Sequence, residues 1–329
     1  MITKRRFLSA ACAGGLVSAA PALWRSAHAQ TIRGTARMLV GSPPGASTDA
    51  VARLLISEMK DYASTIIVEN RPGAGNRIAL DVLKSSPADG SVMTLTPASM
   101  ITIYPHIYPA MNYDALHDFV PVSTVCDVSF LLTVGPAVPN HVRTLAEFIA
   151  WCKANPRLAS YGSPGAGSML HFTGVMLARA AGFEFVHVPY QGARSIQDLL
   201  GGQVSAAITA FGTAISHVQS GRLRALVTTG PQRSPLLPDV PTLAEAGYPE
   251  LEAVEWFGVM VPARTPPQIV AKLNSAIRQA LKTSEVKAGL TRLSFEPGGL
   301  SQDEFARLVQ SDAERWGAIV RASGFKPED

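Results

Sequence analysis

Two serines and a histidine lie close together in the segment YGSPGAGSMLHF, residues 161–172, and side chains of these types can act as nucleophiles and bases. Ser163 or Ser168 could act as a nucleophile with His171 as its base, as in a serine hydrolase. However, the segment lacks the G-x-S-x-G sequence of a nucleophile elbow, and no acidic residue is identifiable as the partner of the histidine. Its glycines suggest a different chemistry, because they let a ligand approach the backbone N–H groups at the start of a helix.

A second turn of this kind, GSPPGASTD, runs from Gly41 to Asp49. Both turns follow a predicted strand and precede a predicted helix, whose unpaired N–H groups and dipole favour an anion. Taken alone, each could be an ordinary capped turn, with Ser47, Thr48 and Ser168 as N-cap residues. Two such turns in separate α/β units, without an enzyme motif, favour a ligand site between two lobes.

The sequence does not contain the familiar cofactor and metal motifs. GAGNRI and GAGSML begin like the dinucleotide-binding G-x-G-x-x-G, but Ile78 and Leu170 stand in place of its last glycine. No P-loop, H-E-x-x-H or C-x-x-C sequence occurs. We therefore expect neither a cofactor nor a bound metal.

The elements that must position the two turns alternate along the chain, which predicts an α/β fold with a mostly parallel sheet covered on both faces. Periodicity predicts one long helix over 265–290 and a closing helix over 301–324. The remaining predicted strands lie at 36–41, 64–70, 91–100, 158–163, 184–190, 204–211, 223–230 and 257–263, and the remaining helices at 49–62, 77–86, 144–156, 168–182, 195–203 and 212–221.

The first 29 residues are typical of an export signal, with basic residues at 4–6, an apolar run and an A-x-A cleavage site ending at Ala29. We expect cleavage after Ala29 and a mature chain in the periplasm. The segment TKRRFL resembles a twin-arginine signal, so general secretion and twin-arginine export both stay open.

Charge and cysteine content restrict the partners of the mature chain. Removing the four basic residues of the signal from the chain's 29 leaves 25, which equals the 25 acidic residues. This balance does not favour nucleic-acid binding. We expect Cys126 and Cys152 to be buried and unpaired, although an oxidising compartment would permit a disulfide between them.

Seven segments of the mature chain together resemble the Bug-type extracytoplasmic solute receptors of tripartite tricarboxylate transporters. They are SPPGASTDAVAR (42–53), VENRPGAGNRIALD (68–81), NYDALHDFVPVS (112–123), YGSPGAGSMLHF (161–172), HVPYQGARSIQDLLGGQV (187–204), GRLRALVTTGPQRSPLLPDVPTLAEAGYP (221–249) and WFGVMVPARTPPQIVAKLN (256–274). The resemblance implies a two-lobed periplasmic-binding-protein fold of type II, in which each lobe is a central β-sheet flanked by helices. Lobe 1 would comprise residues 31–132 and 255–329, lobe 2 residues 133–254, with the ligand in the cleft and closure about a hinge.

The resemblance also implies which residues bind the ligand. Asp49 would orient its turn rather than meet an anionic ligand. Thr209 stands where an aspartate is common in the family, which disfavours an amino-acid ligand, and Tyr190 could be a pocket wall or a packed side chain. The complete predicted set is Pro44, Gly45, Ser47, Thr48, Asp49, Ala98, Ser99, Ser163, Gly165, Gly167, Ser168, His171, Tyr190 and Thr209.

The function implied is that of a monomeric, non-catalytic receptor. It would capture a small organic mono- or dicarboxylate, aromatic ones included, and deliver it to membrane transporter subunits. Two alternatives stay open from the sequence: a secreted serine hydrolase using Ser163 or Ser168 with His171, and a ligand-binding sensor module that signals to a membrane kinase.

Overall fold

The computed structural model describes residues 32–108, 110–190 and 194–326, so the predicted signal segment and its cleavage site lie outside the described residues. The strands in this part of the chain are β1 (Ile32–Val40), β2 (Ala63–Asn70), β3 (Val92–Pro97), β4 (Phe119–Val134), β5 (Ser160–Ser163), β6 (Val186–Pro189), β7 (Ala206–Ala210), β8 (Arg224–Thr228), β9 (Val254–Pro262) and β10 (Glu296–Pro297).

Helices follow most of the strands, and some of them begin at a capping side chain. A capping box of Thr144 and Glu147 starts α5, and one of Ser301 and Glu304 starts α11. The helices are α1 (Ser47–Ser57), α2 (Arg77–Lys84), α3 (Ser99–Thr102), α4 (Tyr104–Ile107), α5 (Leu145–Ala154), α6 (Met169–Ala181), α7 (Arg194–Leu200), α8 (Phe211–Gln219), α9 (Pro267–Ala280), α10 (Ser284–Arg292) and α11 (Gln302–Ser323).

The sheet runs in the order β2-β1-β3-β9-β4-β7-β5-β6, and β8 and β10 also pair with β4. The expectation of a mostly parallel sheet is wrong for its centre. Strands β1, β2 and β3 are parallel to one another, as are β5, β6 and β7, whereas β4 and β9 are antiparallel to all their neighbours. The physical reason is that β4 leads the chain out of the first half of the sheet and β9 leads it back, so these two strands run in opposite directions.

Strand β4 was not predicted from the sequence, although it has 16 residues. Its first part, Phe119 to Ser129, pairs with β9, and its last part, Phe130 to Val134, pairs with β7 and β8. This one strand therefore belongs to both halves of the sheet, and it positions the two parallel groups relative to each other.

The long helix predicted over 265–290 is two helices, α9 and α10. The amide of Thr283 donates to the carbonyl of Ala280, and the Thr283 side chain then accepts the amide of Val286. Because Thr283 has extended backbone angles and caps a new helix, the helix is interrupted after Leu281 although its apolar spacing continues.

Buried apolar side chains form two clusters. The larger one spans most of the sheet and includes Trp256 and Phe305, whose rings meet edge to face 4.9 Å apart. The smaller one packs Leu131 of β4 against Leu199 of α7 and Phe211 of α8. Cys126 and Cys152 are buried and unpaired, as predicted. Within residues 32–108, 110–190 and 194–326, no helix has both the length and the apolarity needed to cross a bilayer.

Candidate ligand-binding site

The predicted site residues all lie at or just beyond the carboxyl ends of strands. The turn from Pro44 to Asp49 follows β1, Ala98 and Ser99 follow β3, the segment from Gly165 to His171 follows β5, and Tyr190 follows β6. Ser163 and Thr209 lie in the last residues of β5 and β7. In α/β sheets, ligands bind outside the carboxyl ends of the strands, so this placement is the expected one for a binding site.

Helix α1 begins without a side-chain cap. Its N-cap residue is Ala46, which cannot accept a hydrogen bond through its side chain, while Ser47 and Thr48 already lie inside the helix. The alternative that Ser47 or Thr48 is an ordinary N-cap is therefore wrong. The first amides of the helix have no helical acceptor, so an external anion can accept from them.

Asp49 fixes the shape of this turn. Its side chain is 3% exposed, and it accepts hydrogen bonds from the Gly45 amide at 2.9 Å, Arg53 Nε at 3.0 Å and Asn70 Nδ2 at 2.9 Å. Burial raises the pKa of Asp49, but the hydrogen bonds from Arg53, Gly45 and Asn70 outweigh it and lower the pKa to about 2. Asp49 is thus charged, and its carboxylate accepts hydrogen bonds from the turn and from Arg53 and Asn70 rather than from a ligand.

Three of the described residues carry buried hydroxyls without a hydrogen-bond partner, two of them near strand ends and one in a helix. The Oγ atoms of Ser42 and Ser195 and the Oγ1 atom of Thr209 are buried and unpaired. Ser42 lies in the turn after β1, Thr209 lies in β7, and Ser195 is the second residue of α7. Only Thr209 was in the predicted set, because the hydrogen-bonding state of a hydroxyl is not visible in a sequence. Such hydroxyls are rare inside proteins and can donate to a ligand.

The segment after β3 is helical at once rather than a loop. The amide of Ala98 donates to the carbonyl of Trp256 at 2.9 Å, and α3 begins at Ser99. The amide of Ser99 donates to Glu255 Oε1 at 2.8 Å. Both donors are therefore engaged by β9.

The loop after β5 is built on two glycines with positive φ, Gly165 at 150° and Gly167 at 77°. Ser168 caps α6: its hydroxyl accepts the amide of His171 at 3.2 Å and donates to the carbonyl of Gly165 at 2.7 Å. The reading of Ser168 as an N-cap is therefore confirmed. Its hydroxyl is occupied inside the loop, and so are two of the loop's amides, since Gly167 donates to His171 Nδ1 and Ser168 donates to the Gly165 carbonyl.

Ser163 is fully buried, and its hydroxyl lies 2.8 Å from Nε2 of His187. The rings of His187 and His171 stack 4.1 Å apart. Burial lowers the pKa of both imidazoles to about 4, and the neighbouring His171 contributes further to the shift of His187. Because the Gly167 amide donates to His171 Nδ1 at 3.1 Å, the ring proton of the neutral His171 is on Nε2.

These contacts do not support the serine hydrolase geometry considered above. Ser163 pairs with His187 and not with His171, and Ser168 caps its helix. No hydrogen bond in the described part of the chain joins either histidine to a carboxylate.

The segment that follows helix α11 packs against the loop after β5. The ring of Phe325 meets His171 edge to face at 5.2 Å and Phe172 at 5.6 Å. A Cβ atom on Gly167 would lie 3.2 Å from Phe325 and equally close to Ile107 of α4. The loop is thus enclosed by α4 and by the chain end after α11.

Tyr190 packs rather than stands free. A Cβ atom on Gly162 would lie 2.8 Å from its ring, and its hydroxyl is hydrogen-bonded to Asp198. Two cavities, of about 290 and 260 Å³, lie elsewhere and share Ser129, Pro231 and Glu296, which are not in the predicted set. Trp256 borders the second cavity, where its indole N–H donates to Asp312 at 2.9 Å.

Known proteins resemble this chain over nearly its whole length. The model of the tripartite tricarboxylate transporter family receptor matches residues 51–325. Protein BugT of Bordetella pertussis is 35% identical over 293 residues, which cover 88% of this chain and 89% of BugT.

Two solved structures from Rhodopseudomonas palustris have the same fold. Rpa4515 with adipate is 30% identical, with a TM-score of 0.77 and coverage of 90% of this chain and 99% of that one. MatC with bound malate is 29% identical, with a TM-score of 0.72 and coverage of 88% and 99%. The predicted periplasmic-binding-protein fold is thereby confirmed, and the chain belongs to the solute-binding receptors of the tripartite tricarboxylate transporter family.

Proposed function

We propose that this receptor binds one small organic carboxylate in the periplasm and delivers it, as a monomer and without catalysis, to the membrane subunits of its transporter. The observation that carries the proposal is the uncapped start of α1. A helix that begins at Ala46 with unpaired amides, after a turn fixed by the buried Asp49, presents several donors in a rigid arrangement.

A carboxylate fits this arrangement better than a cation or a neutral ligand does. The amides of Ser47 and Thr48 and the unpaired hydroxyl of Ser42 are hydrogen-bond donors at the positive end of the helix dipole. The nearby Arg53 is held by Asp49, so neutral donors rather than a free cation would bind the anion.

The turn before α1 is one part of the proposed site, and the loop after β5 is the other. Gly165 has open space where a Cβ atom would lie, so a ligand can approach its backbone, whereas Gly167 is buried against Ile107 and Phe325; Ser168 fixes the start of α6. Ser163 and His171 would act mainly by shaping this loop, since their polar atoms bond within it. The unpaired hydroxyl of Thr209 would meet a polar group of the ligand farther from the carboxylate.

The two parts of the site would belong to different lobes. The turn before α1 would lie in lobe 1, residues 31–132 with 255–329, and the loop after β5 in lobe 2, residues 133–254. The chain passes between the two halves of the sheet within β4 and again before β9, which suits a hinge of two strands. Closure about this hinge would bring the α1 turn and the α6 loop onto the same ligand.

The relatives support the ligand class, since one solved structure holds malate and another holds adipate. Calorimetric titration of unfolded and refolded, ligand-free mature protein with a panel of mono- and dicarboxylates tests the proposal. We expect at least one acid to bind and to raise the unfolding temperature. If no carboxylate binds, or if the protein hydrolyses chromogenic esters in a Ser163-dependent way, the proposal is wrong.

A further inference from the structure

Glu255 is a buried carboxylate in the middle of the molecule. It lies in β9 opposite Val128 of β4, and it is 9% exposed. Its Oε1 atom accepts the amide of Ser99 at 2.8 Å, and the Ser99 side chain is hydrogen-bonded to it as well. The Glu255 carboxyl group therefore already occupies the start of α3.

No basic residue among the described residues forms an ion pair with Glu255. None of the ion pairs between described side chains includes it. Its titratable neighbours are Tyr104 and Asp312, and neither of them is a cation at neutral pH. Burial raises the pKa of Glu255, and the two hydrogen bonds from Ser99 oppose that shift.

Ser99 ties this carboxylate to the candidate site. It follows β3, which pairs in parallel with β1, so the start of α3 and the turn before α1 lie at the same edge of the sheet. A second ligand carboxylate near Ser99 would meet donors that are already engaged and, where Glu255 is ionised, a buried negative charge. A carboxylate has about four acceptor positions and Ser99 uses two, so Glu255 can still accept from a ligand.

We infer that Glu255 determines specificity at the end of the ligand that lies away from the bound carboxylate, where it selects a hydrogen-bond donor, hydroxyl or ammonium, over a second carboxylate. This inference rests on the proposed function. It places this receptor's preference apart from the dicarboxylates seen in the two relatives.

Matched ligands test the inference at pH 8. At four and at six carbons, calorimetry compares the monocarboxylate with its ω-hydroxy, ω-amino and ω-carboxy forms; the six-carbon set is hexanoate, 6-hydroxyhexanoate, 6-aminohexanoate and adipate. We expect wild-type protein to bind a hydroxy or amino acid at least tenfold more tightly than the dicarboxylate of equal length. Whether the ω-hydroxy acid or the ω-amino acid binds more tightly shows whether the site prefers a hydroxyl or an ammonium group.

Glu255→Gln removes the charge and keeps an oxygen that can accept the Ser99 amide. It should improve dicarboxylate affinity at least tenfold relative to the monocarboxylate, whereas Glu250→Gln, on an exposed residue, should leave the ratio unchanged. Equal dicarboxylate and donor-terminated affinities in wild type overturn the inference, even where Glu255→Gln does not fold. An unchanged ratio in folded Glu255→Gln also overturns it, and a lack of binding by every carboxylate overturns the proposed function with it.

Discussion

The Ser163 hydroxyl and His187 Nε2 lie 2.8 Å apart inside the protein, and His187 stacks on His171, whose Nδ1 accepts the Gly167 amide. A buried serine and two neutral imidazoles thus pack against the loop after β5 and stabilise it. The same residue types that suggested a hydrolase form a structural network here.

This network predicts loss of stability in mild acid. Burial lowers the pKa of His171 and His187 to about 4, against 6.5 for the unfolded chain, so the unfolded state binds protons first as the pH falls. The stabilisation is complete above pH 6.5 and is lost between pH 6.5 and 4. Protonation also places a hydrogen on His171 Nδ1, where the Gly167 amide now donates.

Urea unfolding at pH 7.5, 6.5, 5.5 and 4.5 measures this effect. After allowance for the partial exposure of His187, we expect a loss of roughly 1–3 kcal/mol that the His171→Asn, His187→Gln double variant does not show. His117→Gln, on an exposed histidine, should keep the wild-type profile. A double variant that loses as much stability in acid as wild type would contradict the prediction.

Asp49→Asn should weaken both the fold and the ligand site. The amide side chain has only one acceptor oxygen for the Gly45 amide, Arg53 and Asn70, so the turn before α1 loses order. We expect the free energy of unfolding to fall by about 2 kcal/mol and carboxylate affinity to fall at least tenfold. Asp239→Asn, at an exposed position, is the control, and wild-type affinity in Asp49→Asn would be evidence against this role of the turn.

Gly167→Ala should cost more than the backbone strain alone. Gly167 and Gly182 have similar positive φ values, 77° and 65°, but a Cβ atom on Gly167 would lie 3.2 Å from Ile107 and Phe325, whereas Gly182 has open space. We expect Gly182→Ala to lose about 1 kcal/mol of stability and Gly167→Ala roughly 1–3 kcal/mol more. Thermal unfolding of the two variants measures these losses of stability. Equal losses in both variants would mean that the loop after β5 is not enclosed.

Part of the fold and of the site was visible in the sequence. The two βα turns could be predicted because glycines and hydroxyl residues at the start of an apolar-periodic segment have a local physical meaning. The break between α9 and α10 was missed although a local signal existed, since Thr283 with Glu285 in the following turn is typical of a new helix start.

Other features depend on pairings between distant residues. Strand β4 pairs with β9 more than 100 residues later, and polar residues such as Ser123 and Asp127 interrupt its apolar pattern. His187 reaches Ser163 because β5 and β6 pair with Tyr161 opposite His187. The hydrogen bond that links Glu255 to the candidate site comes from Ser99, which precedes it by 156 residues, so a local sequence pattern does not reveal it.

The central claim is that the unpaired amides at the start of α1 bind the ligand's carboxylate. Ala46→Asp tests it most directly, because an aspartate at the N-cap accepts from those amides itself. The matched control is Thr144→Ala, which removes a natural cap from α5, away from the candidate site.

Thermal unfolding of the ligand-free proteins and calorimetric titration with the tightest-binding carboxylate are the measurement. We predict that Ala46→Asp raises the free energy of unfolding by about 0.5–2 kcal/mol and lowers ligand affinity at least tenfold, whereas Thr144→Ala lowers stability and leaves affinity unchanged. An Ala46→Asp protein that is stabilised and still binds the carboxylate as tightly as wild type would contradict the account.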